Sequence, residues 1–210
     1  MPKRLILASA SPRRRELLAL LGLPFEVVPS LIPEDEAQDL PPHVLVETLA
    51  QEKALDVWHR QQDKEDILIL GADTVVVTYR SGTPTILGKP HDADDARRIL
   101  QMLSGTAHTV YTGLALAKWS PECSEVDVQS KVVATRVVFR ELTPALIDAY
   151  IATGEPFDKA GAYGIQGLAA AFVEAIYGDY FNVVGLPVQT VARMLEGLGI
   201  EWWRGAETLG

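Results

Sequence analysis

The chain of 210 residues has little cysteine. Its single cysteine, Cys123, excludes an intrachain disulfide framework and a zinc site built from several cysteines. A lone cysteine is typical of proteins in a reducing compartment. We therefore expect a cytoplasmic protein.

Long hydrophobic segments are also absent. The longest apolar runs cover residues 67–70, 75–77 and 168–173, far short of the roughly 20 residues that a membrane-spanning helix needs. The apolar stretch near the amino terminus ends at three arginines after a few residues, which is too short for a signal peptide. We therefore predict neither a membrane span nor a secretory leader.

Positive charge is in deficit as well. The chain carries 19 basic and 28 acidic residues, a formal net charge of −9. The field of such a molecule repels polyanions, so we predict no binding to nucleic acid or to acidic membranes. An anionic ligand must instead bind where a few basic side chains are grouped.

What the chain does have is a globular balance, with 48% hydrophobic and 22% charged residues. A strand at 5–8, a helix at 12–21, a helix at 42–60 and a strand at 67–77 indicate a βαβ arrangement and an α/β fold. The other predicted elements are a hairpin at 79–90, a helix that ends near 105, strands at 109–117 and 126–139, and helices at 144–154 and 186–198. Ser11 and Asp92 are predicted helix caps, and the glycine-rich segment 154–185 is predicted to be a functional loop region with one short strand.

Three arginines break the rules of helix electrostatics. Arg13, Arg14 and Arg15 fill the first turn of the first helix, where the macrodipole is positive and acidic residues are favoured. Free backbone N–H groups and arginine side chains at a helix start form a phosphate site. The alternative is that the three arginines are solvated or paired with surface carboxylates such as Glu16.

Two further charges lie among apolar residues. Lys53 falls on the apolar stripe of the second helix, so its ammonium either reaches the helix edge or enters a cleft and meets an anion. Asp73 and Thr74 interrupt the long apolar run, and we expect Asp73 at the end of a buried strand. Such a carboxylate suits a general base or a Mg²⁺ ligand, although a structural aspartate that caps a turn is the alternative.

A segment dense in small residues, 155–167, also carries acids, a lysine and a glutamine. Its glycines follow the spacing GxxGxxG, which is not the dinucleotide fingerprint. Lys89 belongs to a near match of a phosphate-binding loop whose spacing is wrong, so we reject that motif too. The four histidines are scattered and lack metal-ligand spacing, which favours solvated or core-edge positions, and no GxSxG motif supports a nucleophilic serine.

Several of these segments together resemble the Maf family of nucleoside triphosphate pyrophosphatases. The segments that carry the resemblance are 7–14, 71–76, 88–90, 103–105 with His108, 112–113 and 155–167. The resemblance implies an elongated mixed sheet with flanking helices, similar to the inosine triphosphatase class, in a single domain (1–210) of two interleaved lobes with a cleft between them. It further implies a homodimer.

The same resemblance implies roles for individual residues. Asp73 matches the proton acceptor, and the positions that set substrate specificity are matched by Arg13, Thr74 and Gln166. Further polar positions of the cleft are matched by Ser9, Glu34, Lys53, Lys89, Glu155, Asp158 and Lys159. Segment 158–167 looks like that of the subgroup that acts on dTTP and UTP.

The chemistry implied is hydrolysis of a nucleoside triphosphate to the monophosphate and pyrophosphate, with Mg²⁺ or Mn²⁺ as cofactor. Asp73 and Glu34 are the candidate metal ligands, and the sequence leaves open whether Asp73 acts as base or as ligand. A non-catalytic nucleotide sensor that regulates septum formation is the alternative function. A buried carboxylate such as Asp73, which a sensor does not need, argues against that alternative.

Overall fold

Helix caps set the starts of several elements, as the sequence predicts. The structure, a computed structural model, describes residues 4–32, 40–62, 64–80, 82–122 and 124–209. The Ser11 side chain accepts a hydrogen bond from the backbone N–H of Arg14, and the Asp92 side chain accepts one from that of Asp95 at 2.8 Å. Both bonds satisfy N–H groups that a helix start leaves without an intrahelical partner.

Helices are interspersed with single strands and pairs of strands along the chain. The helices are α1 (Pro12–Ala19), α2 (Pro42–Arg60), α3 (Ala93–Leu103), α4 (Pro144–Ala152), α5 (Tyr180–Val184) and α6 (Val188–Gly197). The strands are β1 (Arg4–Leu7), β2 (Phe25–Val27), β3 (Ile67–Thr78), β4 (Thr85–Leu87), β5 (Ala107–Ser120), β6 (Glu125–Phe139) and β7 (Val173–Tyr177). Helix α1 ends two residues earlier than predicted and α6 begins two residues later.

One mixed sheet contains all the strands of the described residues, in the order β2-β1-β3-β5-β6-β7 with β4 also paired to β3. Strand β1 is parallel to β2 and β3, whereas β3, β5, β6 and β7 pair antiparallel. Helices flank this sheet, so the predicted α/β class is confirmed. The division of the domain into two lobes stays a prediction.

Helix α2 packs on one face of the sheet, and two glycines let it lie unusually close. A Cβ at Gly71 would stand 2.2 Å from the carbonyl oxygen of Ala50, and one at Gly113 would stand 2.0 Å from that of Val46. Val46, Ala50 and Lys53 follow one another at helical spacing, so the same face of α2 turns Lys53 toward the sheet. The other face of the sheet holds the largest core cluster, which takes in buried side chains of α1, α3, α4 and α6.

Strand β3 changes neighbours halfway along its length, and this creates an opening in the sheet. Strand β1 pairs with β3 as far as Leu70, and β4 joins the same edge only at Val76. Asp73 therefore lies inside a continuous twelve-residue strand. The prediction that it stands at the end of a strand is wrong. Asp73 does, however, stand beyond the end of the parallel pairing, where α/β folds place their ligands.

Segment 154–185 contains more regular structure than predicted. It forms short 3₁₀ helices at Glu155–Asp158, Ala160–Ala162 and Leu168–Phe172, the predicted short strand β7, and the five-residue helix α5. No helix of the described ranges is both long and apolar enough to cross a membrane.

Candidate active site

A cavity of about 610 Å³ occupies the opening beside β3. Its walls come from the turn between β1 and α1, the middle of α2, the central residues of β3, and segments 155–167 and 183–185. The volume falls in the range typical of small-molecule sites. Because residues 71–75 of β3 have no described strand on that side, side chains from both faces of this strand border the cavity.

A buried ion pair forms the wall that α2 and β3 share. The Lys53 Nζ atom lies 2.6 Å from Asp73 Oδ1, and the two residues are 5% and 6% exposed. Among the described residues the Asp73 carboxylate accepts only this hydrogen bond, so its second oxygen, Oδ2, is available to a water molecule or a cation. Lys53 therefore enters the cleft and does not reach the helix edge.

Arg14 organises the opposite wall. Its Nε donates to the Gly185 carbonyl at 2.9 Å, Nη1 donates to Ser9 Oγ at 3.3 Å, and Nη2 donates to Thr74 Oγ1 at 3.1 Å. Thr74 Oγ1 also lies 2.9 Å from the hydroxyl of Thr112. One guanidinium thus connects α1, β3 and the loop after α5, and it holds two side chains predicted to bind substrate, Ser9 and Thr74.

The three arginines of α1 have different surroundings. Arg13 is at the cavity wall, Arg14 is buried, and Arg15 is exposed. Arg14 was predicted only as one of three arginines at a phosphate site, and its burial was not predicted, although a local signal was present. Arg14 precedes the buried Leu17 and Leu18 by three and four residues, so it lies on the same helix face as they do.

Arg13 takes part in a charged cluster at the rim of the cavity. Its Nη1 donates to Asp158 Oδ2 at 2.9 Å, and Lys159 Nζ donates to Asp158 Oδ1 at 2.5 Å and to the Glu155 carbonyl at 2.7 Å. Partial burial opposes ionisation of Asp158, but the hydrogen bonds from Lys159 and Arg13 outweigh it and lower the pKa of this carboxyl. The cluster therefore holds two cations together at the cavity entrance.

The remaining predicted residues differ in how they meet the cavity. Lys89 and Gln166 line it with exposed side chains, whereas the Glu155 carboxylate accepts hydrogen bonds from the Tyr150 hydroxyl and the Leu168 backbone N–H. Glu34 lies outside the described residues. The structure thus brings every other predicted site residue to one cavity.

A family comparison agrees with the resemblance. The family model described as "Maf-like protein" matches residues 4–198. The chain belongs to the Maf family.

Individual relatives of the Maf chain cover nearly its whole length. A protein of Moorella thermoacetica named "dTTP/UTP pyrophosphatase" is 52% identical over 95% of this chain and 97% of its own. One of Bacillus cytotoxicus with the same name is 49% identical over 92% and 95%. Among solved structures, that of the Staphylococcus aureus Ham1 protein aligns with a TM-score of 0.44 and 11% identity over 93% of this chain and 99% of its own.

The residues that suggested the Maf family divide between the cavity and the core. Segments 7–14, 71–76 and 155–167 contribute to the cavity wall, but His108 is a core residue that is 1% exposed. Its Nε2 lies 2.9 Å from the Tyr163 hydroxyl, and its ring packs edge-on against Phe139. The prediction of a solvated or core-edge position is wrong for His108, and burial lowers the pKa of its imidazole to about 3.

No group of three or more His, Cys, Asp or Glu side chains that could hold a metal is found among the described residues. Of the cavity carboxylates in the described part of the chain, Glu155 and Asp158 already have partners, so Asp73 Oδ2 is the oxygen left for a cation. This fits Mg²⁺, which is commonly held by one or two carboxylates together with substrate phosphates.

Proposed function

We propose that this Maf protein hydrolyses nucleoside triphosphates, dTTP and UTP above all, to the monophosphate and pyrophosphate. The observation that carries the proposal is the buried Lys53–Asp73 pair, which opens into a cavity lined by Arg13, Lys89 and Lys159. A carboxylate faced by several cations suits attack of water on a triphosphate. The relatives named "dTTP/UTP pyrophosphatase" support the choice of substrate.

Asp73 is the residue that acts on water. Its Oδ2 accepts a proton as the water oxygen attacks the α-phosphorus, the bond from that phosphorus to the bridging oxygen breaks, and pyrophosphate leaves. Lys53, hydrogen-bonded to Oδ1, orients the carboxylate. The alternative role of Asp73 is that of a metal ligand: together with Glu34 it would hold a Mg²⁺ or Mn²⁺ ion that lowers the pKa of the attacking water and neutralises phosphate charge.

The basic side chains stabilise charge on the phosphates. Arg13, Lys89 and Lys159 line the same cavity as Asp73, although the whole chain carries a net charge of −9. Cations placed where charge develops on a leaving group are usually the largest single contribution to such catalysis. A triphosphate at the rim competes with Asp158 for Arg13 and Lys159, so binding rearranges the charged cluster.

Gln166 reads the base. Its amide offers a donor and an acceptor, which match the O4 acceptor and N3–H donor of uracil and thymine, whereas cytosine reverses that pattern. Thr74 and Arg13, which line the same cavity, contribute to the choice of substrate. Within the described residues the Gln166 side chain makes no hydrogen bond, so it is not tied to its own loop.

The experiment measures pyrophosphate release from each common nucleoside triphosphate with Mg²⁺, for the wild type and for Gln166→Ala. We expect dTTP and UTP to give the highest kcat/KM, CTP to fall below UTP, and the UTP-to-CTP ratio to drop in the variant. A wild type that prefers a purine contradicts the proposed substrate. A wild type that binds nucleotides and releases no pyrophosphate favours the nucleotide sensor.

We also propose that the protein acts in the cytoplasm as a homodimer. The single cysteine supports a reducing compartment, and the family resemblance supports the dimer. Light scattering of the purified protein tests the dimer: a mass of one chain at micromolar concentration contradicts it.

A further inference from the structure

We infer that Tyr150 is a positioning residue for substrate selection, because it fixes the short loop 164–168 that carries Gln166. This inference rests on the proposed function, in which Gln166 recognises the base. Tyr150 lies on α4 and does not line the cavity. It acts through the backbone of the loop and through Glu155.

Three hydrogen bonds connect the two ends of the loop. The Gly164 backbone N–H donates to the Tyr150 hydroxyl oxygen at 3.2 Å, and that hydroxyl donates to Glu155 Oε1 at 3.0 Å. The other carboxylate oxygen, Oε2, accepts from the Leu168 backbone N–H at 3.1 Å. Tyr150 and Glu155, which we call the loop clamp, thus hold residues 164 and 168, with Gln166 midway between them.

The loop clamp explains the glycine at position 167. A Cβ at Gly167 would stand 2.2 Å from Glu155 Oε1, whereas a Cβ at Gly164 would stand 2.6 Å from Lys159 Cε and 3.1 Å from Glu155 Oε1. The loop therefore lies close to the Glu155 carboxylate, and a side chain at position 167 would displace it. A further bond, from the Gly167 N–H to the Gly164 carbonyl at 3.0 Å, closes the turn in which Gln166 lies.

In the loop clamp, Glu155 supports the loop 164–168 and does not contact the substrate. Both of its carboxylate oxygens have partners within the protein, whereas Gln166 has none among the described residues. Tyr150 is 3% exposed, and its ring packs edge-on against Phe172 with centroids 5.0 Å apart. A rigid side chain in the core therefore holds one end of a loop whose middle is exposed at the cavity.

Recognition of uracil depends on such rigidity. A mobile glutamine can rotate its amide or withdraw, and it then bonds cytosine as well as uracil. A side chain held within a narrow range of positions leaves its donor and acceptor unpaired when the wrong base binds, which is the source of strong discrimination. Burial raises the pKa of the Tyr150 phenol, so its hydroxyl keeps the proton that it donates to Glu155.

The test removes only the Tyr150 hydroxyl, with Tyr150→Phe, and compares kcat and KM for UTP and CTP. We expect the ratio of kcat/KM for UTP to that for CTP to fall roughly threefold to tenfold, the effect of one neutral hydrogen bond. The fall should arise mainly from a higher KM for UTP. Tyr79→Phe is the control, because it also removes one tyrosine hydroxyl and its hydrogen bond, the 2.9 Å contact with Tyr111, at residues that do not line the cavity.

A double variant shows whether Tyr150 acts through Gln166. In a Gln166→Ala background, Tyr150→Phe should leave the UTP-to-CTP ratio unchanged, since the recognising side chain is already absent. Equal losses on both substrates, or the same change of ratio in both backgrounds, overturn the inference. If the wild type shows no preference for UTP, the proposed role of Gln166 fails instead.

A second measurement is independent of substrate. Hydrogen exchange of the free protein should show faster exchange at the Gly164 and Leu168 amides in Tyr150→Phe than in the wild type and in Tyr79→Phe. Unchanged exchange at both amides overturns the loop clamp whatever the kinetics show. A fall in ratio together with faster exchange supports it.

Discussion

Asp73→Asn should separate the catalytic role of the buried ion pair from its structural role. The Lys53 and Asp73 side chains are 6% and 9% exposed, and their charged atoms are 2.6 Å apart. Removal of one partner of a buried pair costs about 3–5 kcal/mol of folding free energy, because the other charge stays buried. We expect the lower end of that range, since the asparagine oxygen still accepts a hydrogen bond from Lys53. Turnover should fall at least about a hundredfold.

The companion variants are Lys53→Met and the double variant that combines Lys53→Met with Asp73→Asn. Replacement of both charges in a buried pair is often neutral for stability, so the double variant should regain most of the folding free energy lost in Asp73→Asn. Its turnover should stay low, because neither the proton acceptor nor its orienting cation is present. Urea unfolding followed by circular dichroism measures stability, and pyrophosphate release at saturating UTP measures turnover.

Two results would refute this reasoning. Near-normal turnover by folded Asp73→Asn, or turnover that returns with stability in the double variant, would mean that Asp73 serves only as the counter-ion of Lys53. A double variant as unstable as the single one would mean that removal of the negative charge beside the Lys53 ammonium is not the source of the loss.

Further substitutions test other parts of the site and the core. Arg13→Ala should raise the KM for UTP roughly tenfold to a hundredfold, the effect of one charge-assisted hydrogen bond. It should change the unfolding free energy by less than about 1 kcal/mol, because the Arg13 ion pair is exposed. A large loss of stability with an unchanged KM would argue for a structural role. Gly71→Ala should destabilise the fold by about 1–3 kcal/mol or more and lower turnover, because the new Cβ would push the Ala50 backbone and α2 away from the sheet. Gly197→Ala is the control, because a Cβ at that helical position would have no atom within 4 Å. The buried His108 imidazole is neutral in the folded protein, so the stability it contributes is complete above its unfolded pKa of about 6.5. That stability is lost as the pH falls toward its folded pKa of about 3, at about 1.4 kcal/mol per pH unit. The unfolding free energy of His108→Leu, measured in urea, should therefore depend less steeply on pH than that of the wild type, and equal slopes would contradict this.

Local signals account for the elements that the sequence predicted well. Serine, aspartate and proline at helix starts act within one turn, so the starts of α1, α2, α3 and α4 could be read directly. Strand β2 was not predicted, because its three residues show no alternation and it forms by pairing with the edge of β1. Its existence depends on a partner about twenty residues away.

The candidate site was predicted in part for the same reason. A lysine on an apolar stripe and an aspartate in an apolar run are anomalies of local burial, and both Lys53 and Asp73 proved to line the cavity. Helical spacing places Arg14 on the buried face of α1, but no local pattern indicates the partner of its guanidinium, the Gly185 carbonyl, which is 171 residues away in the chain. The contacts of Tyr150 with Gly164 and Glu155 likewise follow only from the relative positions of α4 and the loop in the folded chain.

The sequence by itself determined the α/β class, the family and most of the charged residues that line the cavity, because composition, caps and charged residues in apolar surroundings are properties of short segments. Only the tertiary structure decided where these segments meet. The change of neighbours along β3 opens the sheet between residues 71 and 75, and two glycines let α2 approach closely enough for Lys53 to reach Asp73. Pairing between distant strands and the close approach of a helix depend on the whole packed chain, so no local pattern could specify them.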